Sequence, residues 1–87
     1  MSYQIEFRPS ARKMIDKLPD SLFRRISPAI ERLAEEPRPH GCVKLSGFER
    51  MWRIRVGNYR IVYEIHDDRR IVIILVVAHR RESYRGL

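Results

Sequence analysis

The stretch Trp52-Arg53-Ile54-Arg55-Val56-Gly57-Asn58-Tyr59-Arg60 limits the folds open to this chain more than any other. Trp52, Ile54 and Val56 alternate with Arg53 and Arg55, the period-two pattern of a strand with one apolar and one charged face. Gly57-Asn58 supplies a two-residue hairpin loop, with glycine first as a type II′ turn requires. Strands over 51–56 and 59–66 follow, with Val56 facing Tyr59 and Arg55 directly opposite Arg60. Like charges opposed across a ladder destabilise a sheet. The pair makes physical sense where an anion, a phosphate or a partner's carboxylate, occupies that face.

The rest of the chain supplies what such a hairpin packs against. Tyr3, Ile5 and Phe7 alternate with Gln4 and Glu6 in a short strand that Pro9 stops. Ser10 reads as an N-cap, and Ala11, Met14, Ile15 and Leu18 form one stripe on a helix ending before Pro19. Asp20 reads as the next cap. Leu22, Ile26, Ile30 and Leu33 keep a single stripe through Pro28, giving one kinked helix from about 21 to 36, or two pieces broken at Ser27-Pro28. Residues 35–41 are a turn-rich connector, and Val43-Lys44-Leu45 is a short strand. The run Ile71 to Ala78 is apolar on both faces, which marks a central strand within the stretch from Arg70 to Arg80. The expected order is β-α-α-β-β-β-β in an α+β fold, a single domain over 1–87. One mixed, mostly antiparallel sheet carries a helical hairpin on one face and the arginines on the other.

At 87 residues, a chain buries only roughly 60–65% of its unfolded surface around one core. Lysine and arginine number 18 against 11 acidic residues, a net charge of +7, which suits nucleic acid, an anionic membrane or an acidic protein. The excess sits in the hairpin half, with ten basic and five acidic residues from Lys44 onward against eight and six before it. The longest apolar run is far short of the roughly 20 residues a membrane helix needs, so no membrane partner is expected. Cys42 is the single cysteine, and no histidine or cysteine cluster has zinc spacing, so no disulfide and no metal are expected. A soluble protein of the reducing cytoplasm is the natural reading.

Residues 44–84 carry Lys-Leu-Ser-Gly, then WRIRVGNYRIVYEI from Trp52, then VVAHRRESY ending at Tyr84. In these motifs the chain resembles the RelE/ParE superfamily of toxins from type II toxin–antitoxin systems, and the helical hairpin before them fits the same fold. The resemblance implies a cognate antitoxin as partner. On the RelE side it implies a ribosome-dependent messenger-RNA endonuclease that works in the A site, without metal or cofactor, and inhibits translation. ParE-like members share the scaffold but inhibit DNA gyrase without catalysis; a degenerate module that only binds its antitoxin is the third class. Carried over residue by residue, the RelE pattern makes Arg60, Arg80 and Tyr84 the catalytic trio. Arg53 and Arg55 match two positions that are often lysine in the family. Lys44, Arg53, Arg55 and Arg81 would hold flanking phosphates.

The chemistry follows from the side chains. Arginine, with a pKa above about 12, cannot serve as a base. Tyr84, surrounded by guanidinium groups that favour the phenolate, is the candidate to take the ribose 2′-OH proton. Arg60 and Arg80 would grip the phosphoryl oxygens, giving a 2′,3′-cyclic phosphate and a 5′-hydroxyl. This requires Arg60 and Arg80 to share a face. By parity they do so only if the loop after the second hairpin strand holds an odd number of residues, such as Asp67-Asp68-Arg69. Trp52, Tyr59 and Tyr63 share the apolar face and read as core, His79 as a strand-end structural residue, and His40 and His66 as loop residues without partners.

Overall fold

The computed structural model describes residues 2–81. β1 (Gln4–Phe7) leads into a helical hairpin of α1 (Pro9–Asp16) and α2 (Asp20–Arg32), followed by β2 (Val43–Lys44), β3 (Met51–Val56), β4 (Tyr59–His66) and β5 (Ile71–His79). This is the expected α+β order. The five strands lie side by side as β1-β5-β4-β3-β2. β1 joins β5 in parallel and every other pairing is antiparallel, so the doubly apolar β5 is interior, as its composition requires.

The helices begin earlier than the polar residues near them suggest. α1 starts at Pro9, with Arg8 as N-cap, so Ser10 lies inside it; proline's fixed φ suits the first helical position and its missing N–H costs nothing there. Asp20 is likewise the first residue of α2 rather than its cap, and its charge complements the positive end of the helix dipole. α2 runs unbroken through Pro28 but stops at Arg32, short of residue 36. Its stripe is buried, with Ile26 1%, Ile30 3% and Leu33 0% exposed. Ala11, Ile15 and these three pack on Ile54, Ile61, Tyr63, Val72, Ile74 and Val77 in one cluster between helices and sheet. Trp52 and Tyr59 flank it, and the Tyr63 hydroxyl donates to the Pro37 carbonyl at 2.7 Å, so all three aromatics belong to the helix side. Burial pushes the Tyr63 phenol above its ordinary pKa.

The second hairpin departs from expectation. His66 pairs with Ile71, which leaves a four-residue loop, 67–70, in place of the odd one. In a regular ladder that loop would send Arg60 and Arg80 to opposite faces. A β-bulge corrects it: Tyr63 pairs with Ile74 but Val62 pairs with Val76, so Leu75 is the extra residue on β5. From Val76 onward the alternation is reversed, with Val77 turned to the helices and Ala78 opposite Arg60.

Candidate active site

The hairpin of β3 and β4 positions the candidate groups. Arg55 is paired with Arg60 and Val56 with Tyr59, the register that alternation implies. Gly57 has φ +59°, and Asn58 is not among the residues of positive φ, which together fit a type II′ turn. Arg53, opposite Val62, shares the face of Arg55 and Arg60. Arg53 is half-buried, Arg55 is exposed, and the Nε of Arg60 is buried. The end of β5 is fastened to the hairpin tip, where the Arg80 amide donates to the Asn58 carbonyl at 2.6 Å. Ala78 faces Arg60, and Arg80 follows two residues on, in the turn just past the end of β5. Arg53, Arg55 and Arg60 thus share one face of the sheet, with the backbone of Arg80 at the same end.

Lys44 is not brought to this cluster. It pairs with Trp52 and so belongs to the helix-facing side of the sheet edge, while Val43 takes the side of Arg53. Arg81 is exposed, and its amide donates to His79 Nδ1 at 3.2 Å. The His79 ring meets Tyr59 edge-on, with centroids 5.4 Å apart, on the helix side. It is a strand-end residue turned away from the arginines. Tyr84 lies outside the described residues.

The open face holds more than arginines. Met51, Val62 and Leu75 form a second buried cluster there, joined by Leu45, Ile73 and Val76. Its signal was the apolarity of β5 on both sides. Beyond it, His66 is a strand residue with two partners: Nε2 lies 2.8 Å from Glu64 Oε1 and Nδ1 2.8 Å from Arg50 Nη1. Glu64 and His66 stand at i and i+2 of one strand, a spacing visible in the sequence. At the sheet's lower rim, Arg38 grips Asp67 through two hydrogen bonds of 2.7 and 3.2 Å, and the Tyr3 hydroxyl donates to the same carboxylate at 2.6 Å. These bonds hold Asp67 down to a pKa of about 2. Arg38 also lies over the Trp52 ring, 5.0 Å from its centroid.

One basic residue escaped the sequence reading altogether. A Cβ on Gly57 would lie 2.9 Å from Arg25 Nη2, so the Arg25 guanidinium covers the hairpin tip from α2. Among the described residues no group of three histidine, cysteine, aspartate or glutamate side chains could hold a metal ion.

A mixed five-stranded sheet with two helices on one face is an architecture shared with solved toxins. The RelE–RelB complex of Pyrococcus horikoshii OT3 superposes with a TM-score of 0.82 at 26% identity, covering 95% of this chain and 100% of that one. The isolated Escherichia coli RelE toxin gives 0.83 at 25%, covering 95% and 89%. The toxin RelG of Mycobacterium tuberculosis is 33% identical over 86 residues, 98% of this chain and 99% of its own. Fold and relatives together define the class, a toxin of a type II toxin–antitoxin system. Residues 5–84 match the model of the ParE toxin of the type II toxin–antitoxin system parDE. The chain belongs to that family, within the RelE/ParE superfamily, and its RelE-named relatives favour the RelE side over the gyrase-inhibiting one.

Proposed function

We propose that this toxin is a messenger-RNA endonuclease that acts on the ribosome and inhibits translation, cutting without metal or cofactor. The observation that carries the reading is the facing pair Arg55–Arg60, with the chain at Arg80 fastened to the same hairpin tip. Two facing guanidinium groups suit a shared anion, and a phosphodiester is the anion that RelE-like chemistry supplies. Arg60 and Arg80 hold the phosphoryl oxygens and the charge that builds on them as the 2′-oxygen attacks. Arg53 and Arg55 receive the neighbouring phosphates, with Arg81 further out. Tyr84 takes the 2′-OH proton, the O2′–P bond forms as the P–O5′ bond breaks, and the leaving 5′-oxygen takes a proton from water, giving a 2′,3′-cyclic phosphate and a 5′-hydroxyl. Such a mechanism excludes DNA, which lacks the 2′-OH.

The antitoxin is the second partner. Relatives are solved as RelE–RelB complexes from Pyrococcus horikoshii and Escherichia coli. In this chain an amphipathic helix or an added strand of the antitoxin covers or displaces part of the arginine face and so neutralises the toxin. The site of action is the cytoplasm, where message and ribosomes are found. Inducing the protein in cells and mapping new 5′ ends on messenger RNA tests the reading. Discrete cuts within translated frames are expected; intact message accompanied by DNA-damage markers would transfer the toxin to the gyrase-inhibiting class.

A further inference from the structure

We infer that the basic surface continues round the hairpin onto α2, where Arg25, Arg32 and the edge of β3 at Arg55 bind the sugar–phosphate backbone of RNA flanking the cleaved segment. This deepens the ribonuclease reading and rests on it. Arg25, Ala29 and Arg32 recur at i, i+4 and i+7 and therefore form one stripe on α2, its charges about 10 Å apart along the axis. The stripe runs beside β3. Arg25 covers Gly57 at one end, and Arg32 lines a cleft of about 140 Å³ with Ala29, His40, Arg55 and Val56 at the other.

Three features make this a place for an anion. Among the described residues no acidic side chain lines the cleft, and neither Arg25 nor Arg32 takes part in an ion pair. β2 covers β3 only as far as Trp52 and Arg53, so beyond them β3 is an edge unpaired by any described residue. The hairpin closes on Val56–Tyr59, which turns the backbone groups of Val56 toward β4 and those of Arg55 outward, adding a backbone N–H donor to the cleft. The cleft is continuous with the catalytic face, because Arg55 belongs to both. A protein partner would want an apolar centre. Among the described residues the exposed large apolar side chains are Phe23, Val43 and Phe48, none of which lines this cleft; the apolar residues that do, Ala29, Pro39, Ile54 and Val56, are buried or half-buried.

The test is the salt dependence of binding of the full-length toxin to a fluorescent single-stranded 2′-O-methyl RNA, which cannot be cut. Each phosphate contact contributes about 0.7 to the slope of log K against log salt on a single strand. R25Q/R32Q should therefore lower the slope by about 1.4, with the melting temperature unchanged because both side chains are exposed. R25K/R32K should retain the wild-type slope. An unchanged slope in R25Q/R32Q, or no binding by the wild type, overturns the inference. So does unchanged RNA binding with a weakened antitoxin complex, which would assign the surface to an acidic protein. Binding with the expected slope change, by a toxin that leaves ribosome-bound message whole, would sink the ribonuclease reading and leave this surface standing.

Discussion

Arg55 and Asp67 show opposite uses of charge at the level of single residues. Arg55 faces another arginine, so replacing it with threonine removes repulsion from an exposed face. Arg55→Thr should melt at or slightly above the wild-type temperature while losing toxicity; a melting point lowered by many degrees would mean that Arg55 is tied into a structural ion pair. Asp67 is instead a satisfied carboxylate, with Arg38 and then Tyr3 holding its pKa below the usual value of 3.8, at about 2. A carboxyl whose folded pKa is depressed contributes stability above its unfolded pKa and loses it as pH falls through the folded one. The Arg38 and Asp67 side chains are 41% and 54% exposed, so solvent screening keeps the contribution to about 1 kcal/mol or less. The stability gap between wild type and Asp67→Asn should be constant above about pH 5 and close between pH 4 and 2. A gap unchanged down to pH 2 in thermal melts would show that the carboxylate's charge is irrelevant.

Hairpin and bulge differ in how far a sequence announces them. The register of β3 and β4 was legible because apolar and charged residues alternate strictly and Gly57-Asn58 leaves a single turn geometry. The bulge at Leu75 was not. β5 is apolar on both faces, so a slip from one face to the other leaves no mark in the pattern, and the four-residue loop before it looks like a parity error. The face of Lys44 was hidden for a related reason, since a two-residue strand is too short to show alternation. Ser10 and Asp20 misled because good capping residues stood just after prolines, Pro9 being the first residue of α1 and Pro19 the N-cap of α2. At the hairpin tip, Gly57→Ala should cost about 1–2 kcal/mol from the left-handed backbone alone. The added methyl must also displace Arg25, so a neutral effect in chemical denaturation would contradict the turn described here.

Across the whole molecule, the net charge of +7 is arranged so that the helices and their core brace one side of a sheet whose other side carries arginines at one end. The candidate site was legible only in part. The shared face of Arg53, Arg55 and Arg60 could be read from the pattern, whereas the place of Arg25 could not, because nothing local to α2 tells which loop it will meet. The central claim is that this basic sheet face cleaves RNA through the 2′-OH, with Arg60 and Arg80 on the phosphate and Tyr84 as base. Its most direct test is single-turnover cleavage of message on programmed ribosomes. Arg80→Ala and Tyr84→Phe should each slow it by roughly 10² or more. A message with 2′-deoxyribose at the cleaved nucleotide should bind and remain whole. Cleavage of that deoxy message, or wild-type rates in both variants, would contradict the account.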